Sequence, residues 1–241
     1  MKTAALRPPK VVPRDRWLIA RRELLQEEKK FTRQRERLTA RRQRLPWVRL
    51  EKDYAFAGPG GRASLGELFG DKHQLVVYHF MLGPGWAEGC KHCSFVVDHV
   101  DGMLPHLAAK DVAFCAISHA PWPEIRSFRK RMGWKFPWFS AHGSDFNADF
   151  GVSFDPAEIT RRKVFYNFTL TEAECEELPG LSVFARGEDG AIYHTYSTYS
   201  RGLENLINTY NYLDLVPKGR DEDPETTMRW VRHHDDYAGV R

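Results

Sequence analysis

The run QLVVYHFML, residues 74–82, passes through GPGWAEG into CKHC, and this junction constrains the chain more than any other stretch. A charge-free apolar run bounded by turn residues reads as a strand buried on both faces. Such a strand needs partners beside it and helices over it, and the following residues supply both. Cys93 to Ala108 carries Phe95, Val96, Val100, Met103, Leu104 and Leu107 as the apolar members of one helix, with Pro105 placed to kink or finish it. DVAFCAIS (111–118) is a second buried strand, Pro123 to Met132 a helix anchored by Ile125 and Phe128, and KFPWFS a short strand.

The flanking segments fit the same plan. WVRLEKDYAF is extended, GPGG (58–61) is a turn, and Ser64 with Glu67 is a capping box opening the short helix SLGELFG. Ser144 caps DFNADFG, where Phe146 and Phe150 share a face and Gly151 ends the turn. After a polar insert, 155–179, LSVFAR and AIYHTYS form a hairpin about GEDG. RGLENLINTYNYL closes as a helix with Leu203, Leu206, Ile207, Tyr210 and Leu213 at helical spacing. Strands alternating with helices and ending in a hairpin predict an α/β protein, a central mixed sheet with helices on both faces.

Ahead of this body lies a different kind of segment. From Pro13 to Pro46 no Pro or Gly interrupts the chain, and Asp15 is the expected N-cap of a long helix. Trp17, Leu24, Phe31, Leu38 and Leu45 recur every seven residues, but Arg21, Glu28, Arg35 and Arg42 occupy the second seam position. One seam without the other suits a helix that rests one edge on a surface rather than a full coiled coil. The formal net charge of +4 divides unevenly: residues 1–49 hold 16 Lys/Arg against 5 Asp/Glu, or +11, leaving 20 against 27, or −7. The basic arm is expected to lie across the acidic body of its own or a neighbouring subunit, with homo-oligomers as one outcome; nucleic acid is the less favoured partner. The expected division is an arm over 1–46, a body over 47–216, and a charged tail over 217–241 with a short helix. Met1 to Pro13 lacks the apolar run of a secretory signal, and no apolar run spans a bilayer. A cytoplasmic protein is expected. A close cysteine pair in that reducing compartment is more often redox-active or metal-binding than a static staple.

Cys90 at the start of a helix and Cys93 one turn on could do redox chemistry, hold a metal, or fill space. Helix-start dithiols bring a cysteine from a pKa near ~8.5 down to roughly 3.5–7.5; Lys91 adds a cation beside it, and His92 adds another when protonated. Cys90 is then the nucleophile and Cys93 the enclosed resolving thiol. A structural zinc site needs two further ligands, usually in a second knuckle. Cys115 sits alone in an apolar strand and Cys175 alone in EAECEE, so no metal and no cofactor are expected. His233, His234, Asp235 and Asp236 do not converge as neighbours on one helix and read as a solvated tail. Trp122, Trp134 and Trp138, with Phe136 and Phe139, read as packing.

From Trp47 to about Leu213, LVVYHF…GCKHC, VAFCAISHAPWPEIRSFRKRMGWKFPWFS and LPGLSVFARGEDG resemble the thioredoxin fold, in the branch of peroxiredoxins and bacterial thiol reductases. That resemblance makes Pro179 the candidate for the cis-proline that presents backbone to an extended substrate. An ordinary trans proline ending the acidic loop is the alternative. LPWVRLEKDY, YHFMLGPGW, GSDFNADFGVSF and YLDLVPKGRDED, with the basic helix before them, resemble the bacterial family catalogued as domain of unknown function 899. Trp86 stands four residues before Cys90, where thioredoxins place Trp directly before the first Cys. Ala87 and Cys90, three residues upstream of the two cysteines, lack the hydroxyl of a peroxide-reducing site. The expected function is thiol–disulfide exchange with a protein or small-molecule disulfide or thiol, with a poise more oxidising than thioredoxin's. The alternatives are a non-catalytic interaction module with a basic docking helix and a metal-binding protein built on the pair.

Overall fold

The computed structural model describes residues 10–161 and 163–237. The first nine residues of the expected arm and the last four of the expected tail lie outside that range.

Helix α1, Arg14–Arg42, carries the basic arm. Its cap is Pro13 rather than Asp15: the Pro13 carbonyl accepts the first helical bond, from Trp17 N–H at 3.0 Å. Asp15 falls in the first turn, where a carboxylate meets the positive end of the helix dipole. No residue of α1 is buried, and Trp17, Leu24, Phe31 and Leu38 are 52%, 55%, 66% and 52% exposed. Within one chain, then, the arm does not bury its apolar stripe on its own body. Near its end Arg42 stacks over Tyr196, 5.0 Å from the ring centroid.

Short strand β1 (Val48–Arg49) leads to the hairpin β2 (Ala55–Gly58) and β3 (Gly61–Ser64), then to α2 (Leu65–Leu68). The capping box forms: Ser64 Oγ accepts from Glu67 N–H at 3.3 Å, and the Glu67 carboxylate accepts from Ser64 N–H at 2.7 Å. The central elements follow as β4 (Gln74–His79), α3 (Lys91–Val97), α4 (Val100–Ala108), β5 (Val112–Ser118), α5 (Trp122–Met132) and β6 (Trp138–Ser140). After them come α6 (Phe146–Asp149), α7 (Pro156–Thr160), the small hairpin β7 (Val164–Tyr166) and β8 (Thr169–Thr171), and the long hairpin β9 (Gly180–Arg186) and β10 (Ile192–Tyr199). A 3₁₀ turn, Ser200–Leu206, precedes α8 (Asn208–Leu213).

The main sheet runs β1-β10-β9-β4-β5-β6-β2-β3. At its centre β4 is parallel to β5 and antiparallel to β9, with Val77 facing Cys115 on one side and Ser182 on the other. The pleat sends alternate residues to two cores. Tyr78, Phe80, Phe114, Ala116 and Leu181 pack under α3, α5 and α8 with Trp134, Phe136 and Trp138. Leu75, Val77, Cys115, Ile117 and Phe184 pack on the other face with α2, with Phe146 of α6 and with Phe150 just after it. A parallel pair at the centre, antiparallel strands beside it and helices on both faces make this a thioredoxin-like fold with a long N-terminal helix.

Three expected elements differ. The helix drawn from Cys93 to Ala108 breaks at Asp98–His99 rather than at Pro105. Asp98 is held at the joint by Trp134 Nε1 (2.9 Å) and His234 Nδ1 (2.7 Å). Pro105 is accommodated inside α4, and the Asp101 carboxylate accepts from Lys135 and Phe136 N–H. The helix drawn over 201–213 is a 3₁₀ turn and α8, separated by the extended residue Ile207. Finally, the polar insert holds α7 and the β7–β8 hairpin, which the sequence left unread.

A buried polar chain crosses the face away from the dithiol. His79 Nε2 meets Ser182 Oγ at 2.9 Å, Ser182 meets Ser197 at 2.8 Å, and Ser197 meets His194 Nε2 at 2.7 Å. Burial and then the nearby His194 push the His79 pKa down to about 3, so this ring is neutral. A neutral imidazole bonds the hydroxyls through Nε2 without burying a charge, while its buried Nδ1 has no hydrogen-bond partner among the described residues.

Candidate functional site: a dithiol pocket walled by the C-terminal segment

Strand β4 delivers the chain to Phe80, Met81 and Leu82, and the loop returns so that Cys90 N–H donates to the Met81 carbonyl at 3.0 Å. Gly89 is required just before the turn. A Cβ there would lie 2.6 Å from Phe80 Cε1 and 2.7 Å from Phe128 Cε1, both on rings fixed in the core. Cys90 is the N-cap residue of α3, and its carbonyl accepts from Ser94 N–H (2.9 Å) and Ser94 Oγ (3.0 Å). Both thiols are free; Cys90 is half-buried and Cys93 buried.

The two sulfurs are driven apart in acidity. The Cys93 thiol donates to the Cys90 sulfur, and His92 and the Cys93 backbone N–H add further bonds. Against burial, these bring Cys90 down to about 4. Lys91, expected to help, is not among the dominant influences on that sulfur. Burial raises Cys93 well above the ordinary thiol value, and the negative charge of Cys90 raises it further. Tyr78 Oη also bonds Cys93, and burial holds that phenol neutral. Tyr78 went unread in the sequence; a tyrosine inside an apolar strand, whose hydroxyl must find a partner, was the signal for it.

Pro179 lines the same pocket as Cys90, His92 and Cys93. Its peptide bond is trans, since the described residues hold no cis bond, so the cis-proline expectation is corrected. The approach to it is fixed from outside. The buried Glu177 carboxylate takes His119 Nδ1 at 2.8 Å and Ser153 Oγ at 2.7 Å, and Tyr166 Oη donates to the Pro179 carbonyl at 2.6 Å. Trp86 does not reach the pocket; it packs across Gly83 and lines a neighbouring cleft with Phe128 and Arg131.

The C-terminal segment departs most from expectation. His233 is 3% exposed and donates from Nε2 to the Gly89 carbonyl at 2.9 Å, so it is no part of a solvated tail. Val231 is fully buried, and Trp230 meets Phe95 edge-on at 5.4 Å. Arg131 ties Glu88 to Asp235, each at 2.8 Å. His92 Nε2 donates to the Met228 carbonyl at 3.2 Å. Charge composition hid this packing because the anchors are one valine and two aromatic rings among acidic and basic neighbours.

Cys115 lies across the sheet in the other core, where burial raises its thiol pKa. Cys175 sits in the acidic loop. Among the described residues no cluster of three His, Cys, Asp or Glu is placed to hold a metal.

Fold and site together define a thioredoxin-like protein carrying a Cys-x-x-Cys pair where the loop after a central strand meets the next helix. The family described as bacterial protein of unknown function (DUF899) matches residues 6–237, and the chain belongs to it. No curated protein matches the chain. Among solved structures it is similar to peroxidoxin BcpB from Mycobacterium tuberculosis, at 15% identity over 68% of this chain and 94% of that one, with a TM-score of 0.45. It is also similar to a cysteine-to-serine mutant of PrxQ from Xylella fastidiosa, at 12% identity over 66% and 88% with a TM-score of 0.41. Peroxiredoxin Q from Xanthomonas campestris matches at 13% identity over 64% and 85%, with a TM-score of 0.44. The strand order and pairing given above, rather than these likenesses, define the fold. No described helix is long and apolar enough to cross a membrane.

Proposed function

We propose that the protein is a thiol–disulfide oxidoreductase in which Cys90 attacks and Cys93 resolves. The observation that carries this is the placement of the two free sulfurs in one pocket, Cys90 half-buried at the N-cap of α3 and Cys93 buried behind it, which favours the thiolate on Cys90 and the thiol on Cys93. The Cys90 thiolate attacks one sulfur of a disulfide. A new S–S bond forms, the substrate bond breaks, and the leaving sulfur departs as thiolate. Cys90 is then neutral, so the charge that opposed ionisation of Cys93 is gone. Cys93 passes its proton to the departing thiolate and attacks the Cys90 sulfur, releasing the second substrate thiol. The substrate gains two electrons and the pair is left as a disulfide, which two equivalents of a thiol reduce again. Stabilising the Cys90 thiolate favours the reduced pair, hence an oxidising poise.

The test is the rate of iodoacetamide labelling at Cys90 against pH. A thiolate already formed gives a rate that stays level from about pH 8 down to about pH 5, whereas an ordinary cysteine, with a pKa near ~8.5, loses about tenfold per unit. Labelling that follows the ordinary profile sinks the reading.

The exposed stripe of α1 favours a second role, as a docking arm. The arm is basic and the body acidic, and the β7–β8 hairpin exposes Phe165, Phe168 and Leu170 just before Glu172, Glu174 and Glu176. Apolar groups within opposite charge on two surfaces of one chain suit exchange of arms between two copies. Light scattering at low salt should give a dimer mass that falls to one chain when residues 1–42 are removed. A full-length chain that stays monomeric at low salt refutes the docking.

A further inference from the structure

The pocket over the dithiol is a partly open cleft of about 290 Å³, small for a ligand site. Its apolar walls are Tyr78, Met81, Val96, Leu203, Ile207 and Met228. At the rim Arg201 pairs with Glu204 at 3.1 Å, so the two charges offset each other and a neutral guest meets no unpaired ion there.

Two features close the routes by which a polypeptide would reach the sulfurs. The backbone flanking Pro179 is already used: Leu178 N–H donates to the Val152 carbonyl at 2.8 Å, and the Pro179 carbonyl accepts from Tyr166. An incoming extended chain would need these groups to pair as an added strand does. On the opposite side Thr227 and Met228 form a wall, with Met228 bonded through its carbonyl to His92. The wall is pinned beyond the pocket by buried Val231 and by His233 on the Gly89 carbonyl, the residue next to Cys90.

We infer that the C-terminal segment and the occupied Pro179 backbone restrict the dithiol to small, uncharged organic disulfides and exclude disulfides held in polypeptides. This rests on the oxidoreductase reading above and narrows its substrate class. Each turnover breaks the small disulfide, releases two equivalents of its thiol and leaves Cys90 bonded to Cys93; a low-molecular-weight thiol returns the pair to the reduced state.

The experiment oxidises the fully reduced chain with either bis(2-hydroxyethyl) disulfide or insulin at equal disulfide concentration, following the Cys90–Cys93 bond by mass after alkylation. The small disulfide is expected to react at least about a hundredfold faster, the penalty of denying a substrate its attacking geometry. Met228→Ala, which lowers the wall, should speed a bulkier neutral disulfide, dibenzyl disulfide, relative to the small one. Tyr166→Phe, which frees the Pro179 carbonyl and keeps the ring, should raise the insulin rate. Insulin reacting within tenfold of the small disulfide on the unmodified chain overturns the restriction and leaves the dithiol chemistry standing. So do variants that leave both ratios unchanged. Failure of both disulfides to react, together with ordinary-thiol labelling at Cys90, sinks the oxidoreductase reading itself and the restriction with it.

Discussion

Cys90→Ser is expected to cut disulfide reductase activity by at least about a thousandfold, because a serine hydroxyl at neutral pH is not an ionised nucleophile and nothing nearby replaces the lost thiolate. Cys93→Ser should behave differently. Cys90 can still attack, so the first half of the cycle survives and a mixed disulfide accumulates that mass spectrometry reads directly. The Cys90 pKa should rise in Cys93→Ala, which removes the donor altogether, since the Cys93 thiol is the strongest influence lowering it. Retained activity in Cys90→Ser, or the trapped adduct appearing on Cys93 in the unmodified chain, would reverse the assigned roles.

The second large effect falls on stability. Trp138 is fully buried in β6, with its ring 4.5 Å from Phe80 and 5.7 Å from Trp134. Its Nε1 donates at 3.0 Å to Ser118 Oγ, which donates in turn to the Phe80 carbonyl at 2.7 Å. Trp138→Ala therefore opens a cavity and strips Ser118 of a donor. The cost is about 3–5 kcal/mol, a fall in melting temperature of about 10 °C for a domain of this size. Urea unfolding with an unchanged slope and a lower midpoint would show it. A loss under about 1 kcal/mol would mean that the aromatic cluster collapses into the gap, against the rigid packing described here.

What the sequence made legible is the part governed by local pattern. The runs at 74–82, 111–118 and 181–186 announced β4, β5 and β9 because a strand covered on both sides has no need of polar alternation. Ser64 and Glu67 announced a helix start because the capping box is settled within four residues. The position of Cys90 followed from the strand before it. Hidden features depended on partners distant in sequence. The break at Asp98 is held by Trp134 and His234, the neutral Tyr78 hydroxyl by Cys93, and the Pro179 carbonyl by Tyr166. The C-terminal segment misled for a similar reason: its many charges are exposed, and the few residues that fasten it carry no periodic signal.

The ends of the main sheet have a consequence for how copies of this chain can join. One outer strand, β1, is two residues long and includes Arg49; the other, β3, is four residues long and includes Gly61 and Arg62. Stubby margins bearing cations offer too few free amides for lateral growth of a continuous ribbon. Fibre-like polymerisation is thereby disfavoured at both rims.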